Sequence, residues 1–139
     1  MGDDSERADL AAMAVRLTRR LIAMEEPILA RHDIAMWAYA VLSALRERPT
    51  RTQAALATAI NADKTRLIPV LDDLQRRGLI TRDPDPADRR VRLLSLTPAG
   101  RALHQAVQAD IRAAEQTLLA DLAEDDRAGF LAALDKLSH

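Results

Sequence analysis

Apolar residues recur in steps of three and four along most of this chain, and the step changes to two in only one region. Over residues 9–30, Leu10, Ala14, Leu17, Leu21, Met24 and Ile28 alternate steps of four and three, a heptad seam almost three repeats long. A second helix is predicted over 36–47, with Trp37, Val41, Leu42 and Leu45 on its inward face and Pro49 ending it. Thr52 stands at an N-cap position before a short helix whose Leu56 and Ile60 point inward. Residues 61–63 form a tight turn. Another amphipathic helix then runs to about Arg77, with Leu67, Val70, Leu71 and Leu74 inward, and Gly78 suits the position just past its end.

The step of two follows. Leu79 and Thr81 alternate with Ile80 and Arg82, and residues 91–97 form a second strand. The charged loop PDPADRR between them is longer than a two-residue turn, so the hairpin tip should project. Thr97-Pro98 then starts a helix, with a capping hydroxyl followed by proline at the first helical position. That helix carries Leu103, Val107, Ile111, Ala114, Leu118 and Leu122 at helical spacing. Glu124 to Asp126 interrupt it, and a last helix aligns Phe130, Leu131, Leu134 and Leu137. The predicted fold is therefore mainly α with a small β-hairpin wing: a winged helix-turn-helix with long N- and C-terminal dimerisation helices. Its parts are 1–33 (N-terminal dimerisation helix), 34–97 (winged helix-turn-helix) and 98–139 (C-terminal dimerisation helices). The flanking seams exceed what the central module needs, and a second copy of the chain is the economical partner.

Composition narrows the chemistry. With one Trp, one Tyr and one Phe in 139 residues, leucine and alanine must do most of the packing, which favours helices. The chain has no cysteine, so disulfides, thiolate zinc sites and cysteine redox sensing are excluded. No apolar run approaches the ~20 residues of a membrane span. The N-terminus MGDDSERADL is acidic where a secretory signal is basic and then apolar. A cytoplasmic location without membrane attachment is expected.

The net charge of −1 hides an asymmetry. Between Lys64 and Arg92, eight basic residues face five acids, a local +3, whereas residues 110–139 carry a local −4. A local basic field matters more to a polyanion than the total. A solvated surface with no partner would show the same counts.

Two helices joined by a tight turn, the second exposing its N-terminal half, form a DNA-reading arrangement. With Leu67, Val70, Leu71 and Leu74 inward, Thr65, Pro69 and Arg76 fall opposite, and Arg66 and Ile68 lie on the flanks. Arg66 can pair with guanine, and Ile68 or Pro69 can meet a thymine methyl. A phosphate contact or a free surface arginine is the plainer alternative for Arg66. Pro69 either kinks the helix or separates its first turn. At the hairpin, Asp88-Arg89-Arg90 offers arginine to a narrow minor groove, with Asp88 positioned to hold a guanidinium. A solvated turn with a weak surface ion pair fits equally well.

The stretch DKTRLIPVLDDLQRRGLITRDPDPADRRVRLLSLTPAGR resembles the core of the MarR family of winged-helix regulators. The carriers are a basic helix ending in RRG, the wing Asp88, Arg89, Arg90, and the later Leu96-Thr97-Pro98-Ala99-Gly100. MWAYAVLSALRERP upstream also fits, so the resemblance covers about residues 34–105. It implies a triangular homodimer acting on double-stranded DNA as a sequence-specific transcriptional regulator, a repressor relieved by a small-molecule effector. The recognition helix enters the major groove, Arg90 enters the minor groove, and Asp88 stabilises the wing. The DNA-facing set is then Thr52, Gln53, Asp63, Lys64, Thr65, Arg66, Ile68, Pro69, Arg76, Asp88, Arg89 and Arg90. Pro69 stands where many members carry a polar groove residue. Arg51 and Ala55 replace a common apolar residue and an acidic capping partner.

Dimer contacts are expected from Leu10, Leu17, Leu21, Ile111, Leu118, Phe130 and Leu134. An effector cleft between dimerisation helices and DNA-binding lobe would draw on His32, Met36, Trp37 and Tyr39, with Arg16 or Arg20 for an anionic ligand. Trp37 as plain core is the simpler reading. His32, His104 and His139 are too scattered for a metal site, and no nucleophile, phosphate loop or catalytic carboxylate pair accompanies them. Neither enzyme activity, metal nor cofactor is expected. The rival class is a winged-helix module that binds protein rather than DNA.

Overall fold

The computed structural model describes residues 5–48 and 51–139. The predicted helix-ending role of Pro49 lies outside the described residues. The order is α1 (Leu10–Arg31), α2 (Met36–Glu47), β1 (Arg51–Thr52), α3 (Gln53–Ala59), α4 (Lys64–Arg76), β2 (Ile80–Pro84), β3 (Arg92–Leu96), α5 (Pro98–Leu119) and α6 (Glu124–Leu137). The three strands form one antiparallel sheet in the order β1-β3-β2. The hairpin is thus widened by β1, whose Thr52 pairs with Leu93. Two residues are too short to leave a periodic signal, so β1 is not visible in the sequence pattern.

One core unites the elements. Val41, Leu42 and Leu45 of α2 meet Leu56 of α3, Leu67, Leu71 and Leu74 of α4, and Ile80 and Leu94 of the sheet. Ile28 and Leu29 of α1 and Val107 and Ile111 of α5 join the same cluster. The α1 seam therefore changes along its length: Leu10 and Ala14 are exposed, Leu17, Leu21 and Met24 half-buried, and Ile28 buried. Trp37, expected inward, is 43% exposed at the start of α2. Ala38, Val41, Leu42 and Leu45 already fill the buried face there.

Both prolines inside helices are accommodated. Pro27 lies within α1 and Pro69 within α4, and α4 is one continuous helix from Lys64 to Arg76. The first turn of α4 is thus not separate. The lost bond to the Thr65 carbonyl falls on the exposed face, where solvent can satisfy the acceptor.

Three helices end by the same device. After α1, α3 and α4, the backbone turns left-handed at Asp33 (φ 53), Asn61 (φ 52) and Gly78 (φ 72). In each case the next amide reaches back to the last full turn: Ile34 to Leu29, Ala62 to Ala57 and Leu79 to Leu74, at 2.9–3.1 Å. At Gly78 an added Cβ would meet nothing within 4 Å, so only backbone strain opposes a side chain. Gly78→Ala is accordingly expected to lower stability by about 1 kcal/mol, read from the urea midpoint.

Candidate nucleic-acid interface

The turn before α4 sets the direction of its first residues. The Asp63 carboxylate accepts a hydrogen bond from the Thr65 amide at 3.0 Å, capping the helix. Thr52 does the same for α3, its Oγ1 accepting from the Ala55 amide at 3.1 Å. The cap forms although Ala55 supplies no acidic side chain. With Leu67, Leu71 and Leu74 buried, the phase of α4 is fixed, and Lys64, Thr65, Arg66, Ile68 and Pro69 all face outward.

The wing supplies the second half of the surface. Asp88 accepts from the Arg90 amide and from its Nε, both at 3.1 Å, and its other oxygen accepts from Nη2 at 3.3 Å. The Val91 amide donates to the Asp88 carbonyl at 2.9 Å, and the Asp85 amide donates to the Val91 carbonyl at 2.8 Å. Arg90 is therefore held in place while its side chain remains 91% exposed. These hydrogen bonds lower the Asp88 carboxyl below the ordinary carboxylate value. The pairing is therefore complete above the ordinary carboxylate pKa and is lost as pH falls through the lowered one.

A groove of about 350 Å³ brings the two halves together, lined by Thr52, Gln53, Ala54, Lys64, Leu67, Ile68, Arg90, Val91 and Arg92. Five expected DNA-facing residues meet there: Thr52, Gln53, Lys64, Ile68 and Arg90. Arg92 joins them without having been singled out. It is exposed at the start of β3, and its position two residues after Arg90, at the foot of the wing, is the signal that could have found it.

The basic residues divide into two groups. Arg76 and Arg77 pair with Asp73, the latter at 3.7 Å, and Arg82 donates to Gln75 at 2.7 Å and to Asp72 at 2.5 Å. The end of α4 thus neutralises much of its own charge, Arg76 included. Lys64, Arg66, Arg89 and Arg92 form no side-chain ion pair among the described residues. Within residues 64–92, the basic side chains without an ion pair therefore lie at the start of α4 and on the wing.

The residues expected to line an effector cleft are dispersed in the single chain. Arg16 and Arg20 lie on the exposed part of α1, about 24 and 18 Å along the helix from His32. His32 is 2.7 Å from Asp110 of α5, Met36 packs on the core, and Trp37 faces solvent. Tyr39 stacks on His104 at 5.1 Å between ring centroids. Of the expected dimer residues, Ile111 packs in the core of its own chain, with 4% exposed. Leu17, Leu21, Leu118, Phe130 and Leu134 line an apolar groove of about 200 Å³ between α1, α5 and α6.

His104, one of three scattered histidines in the sequence, has a structural role that periodicity does not reveal. It is 2% exposed and joins α2 to α5. Arg46 Nη1 donates to its Nδ1 at 3.2 Å, which places the ring proton on Nε2, 3.0 Å from the Ser43 hydroxyl. Burial, and secondarily the Arg46 charge, lower its pKa below 6.5. The unfolded chain therefore takes up a proton that the folded chain refuses as pH drops below 6.5. Stability should fall in that direction, with a slope up to about 1.4 kcal/mol per pH unit. Urea midpoints between pH 7.5 and 5.5 check this. The slope should shrink in His104→Gln, and an unchanged slope would exclude His104 as its source.

Three helices with a turn before α4, followed by a hairpin wing, make this a winged-helix protein. The MarR family profile matches residues 34–91. Over 100 residues the chain is 35% identical to a transcriptional regulatory protein for the hcr operon of Thauera aromatica, covering 71% of this chain and 60% of that protein. The match thus spans about three-fifths of that relative's length. Among solved structures, the PcaV transcriptional regulator of Streptomyces coelicolor with its natural ligand is 30% identical, with TM-score 0.70 over 95% of this chain and 96% of that one. The transcriptional repressor CouR, bound to a 23-mer DNA duplex, is 28% identical, with TM-score 0.82 over 100% of this chain and 97% of that one. The chain belongs to the MarR family. No described helix is long and apolar enough to cross a membrane.

Proposed function

We propose that this chain is a cytoplasmic, homodimeric repressor that binds double-stranded DNA by sequence. The start of α4 enters the major groove, and Arg90 enters the adjacent minor groove. The observation that carries this reading is the groove that Lys64 of α4 shares with Arg90 and Arg92 of the wing, with Arg90 oriented by Asp88 yet almost wholly exposed. The CouR structure supports it, because a chain of the same fold is there bound to duplex DNA. PcaV with its natural ligand supports relief by a small molecule. In this chain the candidates to line such a site are Arg16, Arg20, His32, Met36, Trp37 and Tyr39, and assembling them requires surfaces beyond one protomer. In this reading Thr52 and Asp63 serve mainly as helix caps at the DNA surface, while Gln53, Thr65, Arg76 and Arg89 supply the surrounding polar contacts.

Arg90→Ala and Arg66→Ala should fail differently. Loss of Arg90 is expected to weaken every duplex and to make the slope of log K against log salt shallower by up to about one unit. Loss of Arg66 should cost about 1–3 kcal/mol on a preferred duplex and flatten base preference at one position per half-site. Anisotropy titrations with preferred and scrambled duplexes at several salt concentrations distinguish them. Equal losses on both duplexes would reassign Arg66 to a phosphate. An Arg90 variant unchanged in affinity and slope would remove the wing from the interface, and no salt-dependent binding by the unaltered protein would favour the protein-binding module.

A further inference from the structure

The outward face of α4 carries two apolar residues inside a basic surround. Burial of Leu67, Leu71 and Leu74 fixes the rotation of the helix, leaving Ile68 48% exposed and Pro69 exposed beside it. Ile68 shares the groove with Lys64, Arg90 and Arg92, and Arg66 lies two residues before it. That charge complements phosphate on both sides, so the occupant matched to Ile68 and Pro69 is a polyanion with an apolar group recessed in its groove. In the major groove of DNA, the base-edge group of that kind is the pyrimidine C5 methyl.

We propose that Ile68 and Pro69 read a pyrimidine C5 methyl group in each half-site, so that thymine and 5-methylcytosine are equivalent at that position. The inference rests on the DNA-binding reading above and adds the chemical group that is read. The equivalence follows from what the two side chains lack. Neither has a donor or acceptor, and Pro69 has no amide hydrogen, so neither distinguishes the thymine O4 acceptor from the cytosine N4 donor. A methyl group on either ring occupies the same place against them. Cytosine methylation at this position therefore becomes a means of raising affinity.

The test uses duplexes selected for binding from a randomised pool, with Kd read by fluorescence anisotropy at one salt concentration. Each thymine is replaced by deoxyuridine, which removes only the methyl group. One position per half-site should weaken binding about fourfold, and replacement in both half-sites about 15-fold, the value of burying one or two methyl groups. Cytosine at that position should bind weakly, and 5-methylcytosine should restore affinity. In the Ile68→Ala/Pro69→Ala double variant the difference between thymine and deoxyuridine should vanish. Both side chains are exposed, so folding is preserved. Affinity within twofold for every deoxyuridine duplex would overturn the proposal. So would an undiminished methyl effect in the double variant, which would assign it to DNA shape. If no thymine duplex binds either, the DNA-binding reading itself falls, an outcome distinct from a methyl-independent one.

Discussion

Gly100→Ala should lower the melting temperature by roughly 10 °C, although alanine is the better helix former by about 1 kcal/mol. The reason is distance. A Cβ at Gly100 would lie 2.0 Å from the Leu79 carbonyl oxygen and 3.0 Å from its carbon. Both are backbone atoms of a buried residue, so no flexible side chain can move aside. The approach is fixed by hydrogen bonds across the junction. The Thr97 amide donates to the Leu79 carbonyl at 3.1 Å, and the Thr97 hydroxyl donates to the Gly78 carbonyl at 2.6 Å. That hydroxyl also accepts from the Gly100 amide at 3.0 Å, capping α5. Retreat of α5 by an ångström or more would break these bonds, at about 1 kcal/mol each, added to about 1–3 kcal/mol for overpacking. Thermal melts of the two forms at equal concentration measure the loss. A variant that melts within about 2 °C of the parent would show that the junction yields cheaply. Gly78, hydrogen-bonded to Thr97 from 19 residues away in sequence, is the internal contrast, since its alanine variant meets strain without collision.

The turn and cap chemistry was legible because it is local. Thr52, Gly78 and Thr97-Pro98 each act within four residues, and all three do what the sequence pattern implies. Asp88 and Arg90 are two apart, and their pairing follows from spacing. Other features depend on distance along the chain. His104 meets Ser43 and Arg46 across 61 and 58 residues, so three scattered residues became a buried network. Arg82 reaches Asp72 across ten residues, which turned a count of basic side chains into a partly neutralised one. Period alone placed Trp37 inward, and the fold leaves it 43% exposed, because helical phase cannot say which neighbour covers a stripe. The same limit applies to the close approach at Gly100. A glycine in a helical first turn announces freedom, and only the neighbouring backbone reveals the constraint.

The second large effect concerns α6, where Leu131→Glu combined with Leu134→Glu should convert the protein to a monomer and weaken DNA binding by about 10²–10⁴-fold. None of the 14 residues of α6 is buried in the single chain. A helix of that length is marginal alone in water, and its stability must come from packing. Acids in its first turn and Lys136 in its last favour the helix dipole but supply only fractions of a kcal/mol each. Leu131 and Leu134 line the apolar groove that also contains Leu17, Leu21 and Phe130, while Leu10 and Leu137 stand exposed beyond it. A second copy of α1 and α6 would cover this surface and would set two recognition helices on one DNA face. Losing the partner would leave each α4 with a single half-site, so the penalty is that of losing linked binding rather than any contact to DNA. The paired glutamates should cost the isolated chain little, because both positions are already about half exposed. Sedimentation equilibrium, circular dichroism and anisotropy on one preparation test each link. Expected are halved mass, retained helicity and the stated loss of affinity. A variant that stays dimeric would place the interface elsewhere, and a folded monomer with full affinity would remove dimerisation from the mechanism.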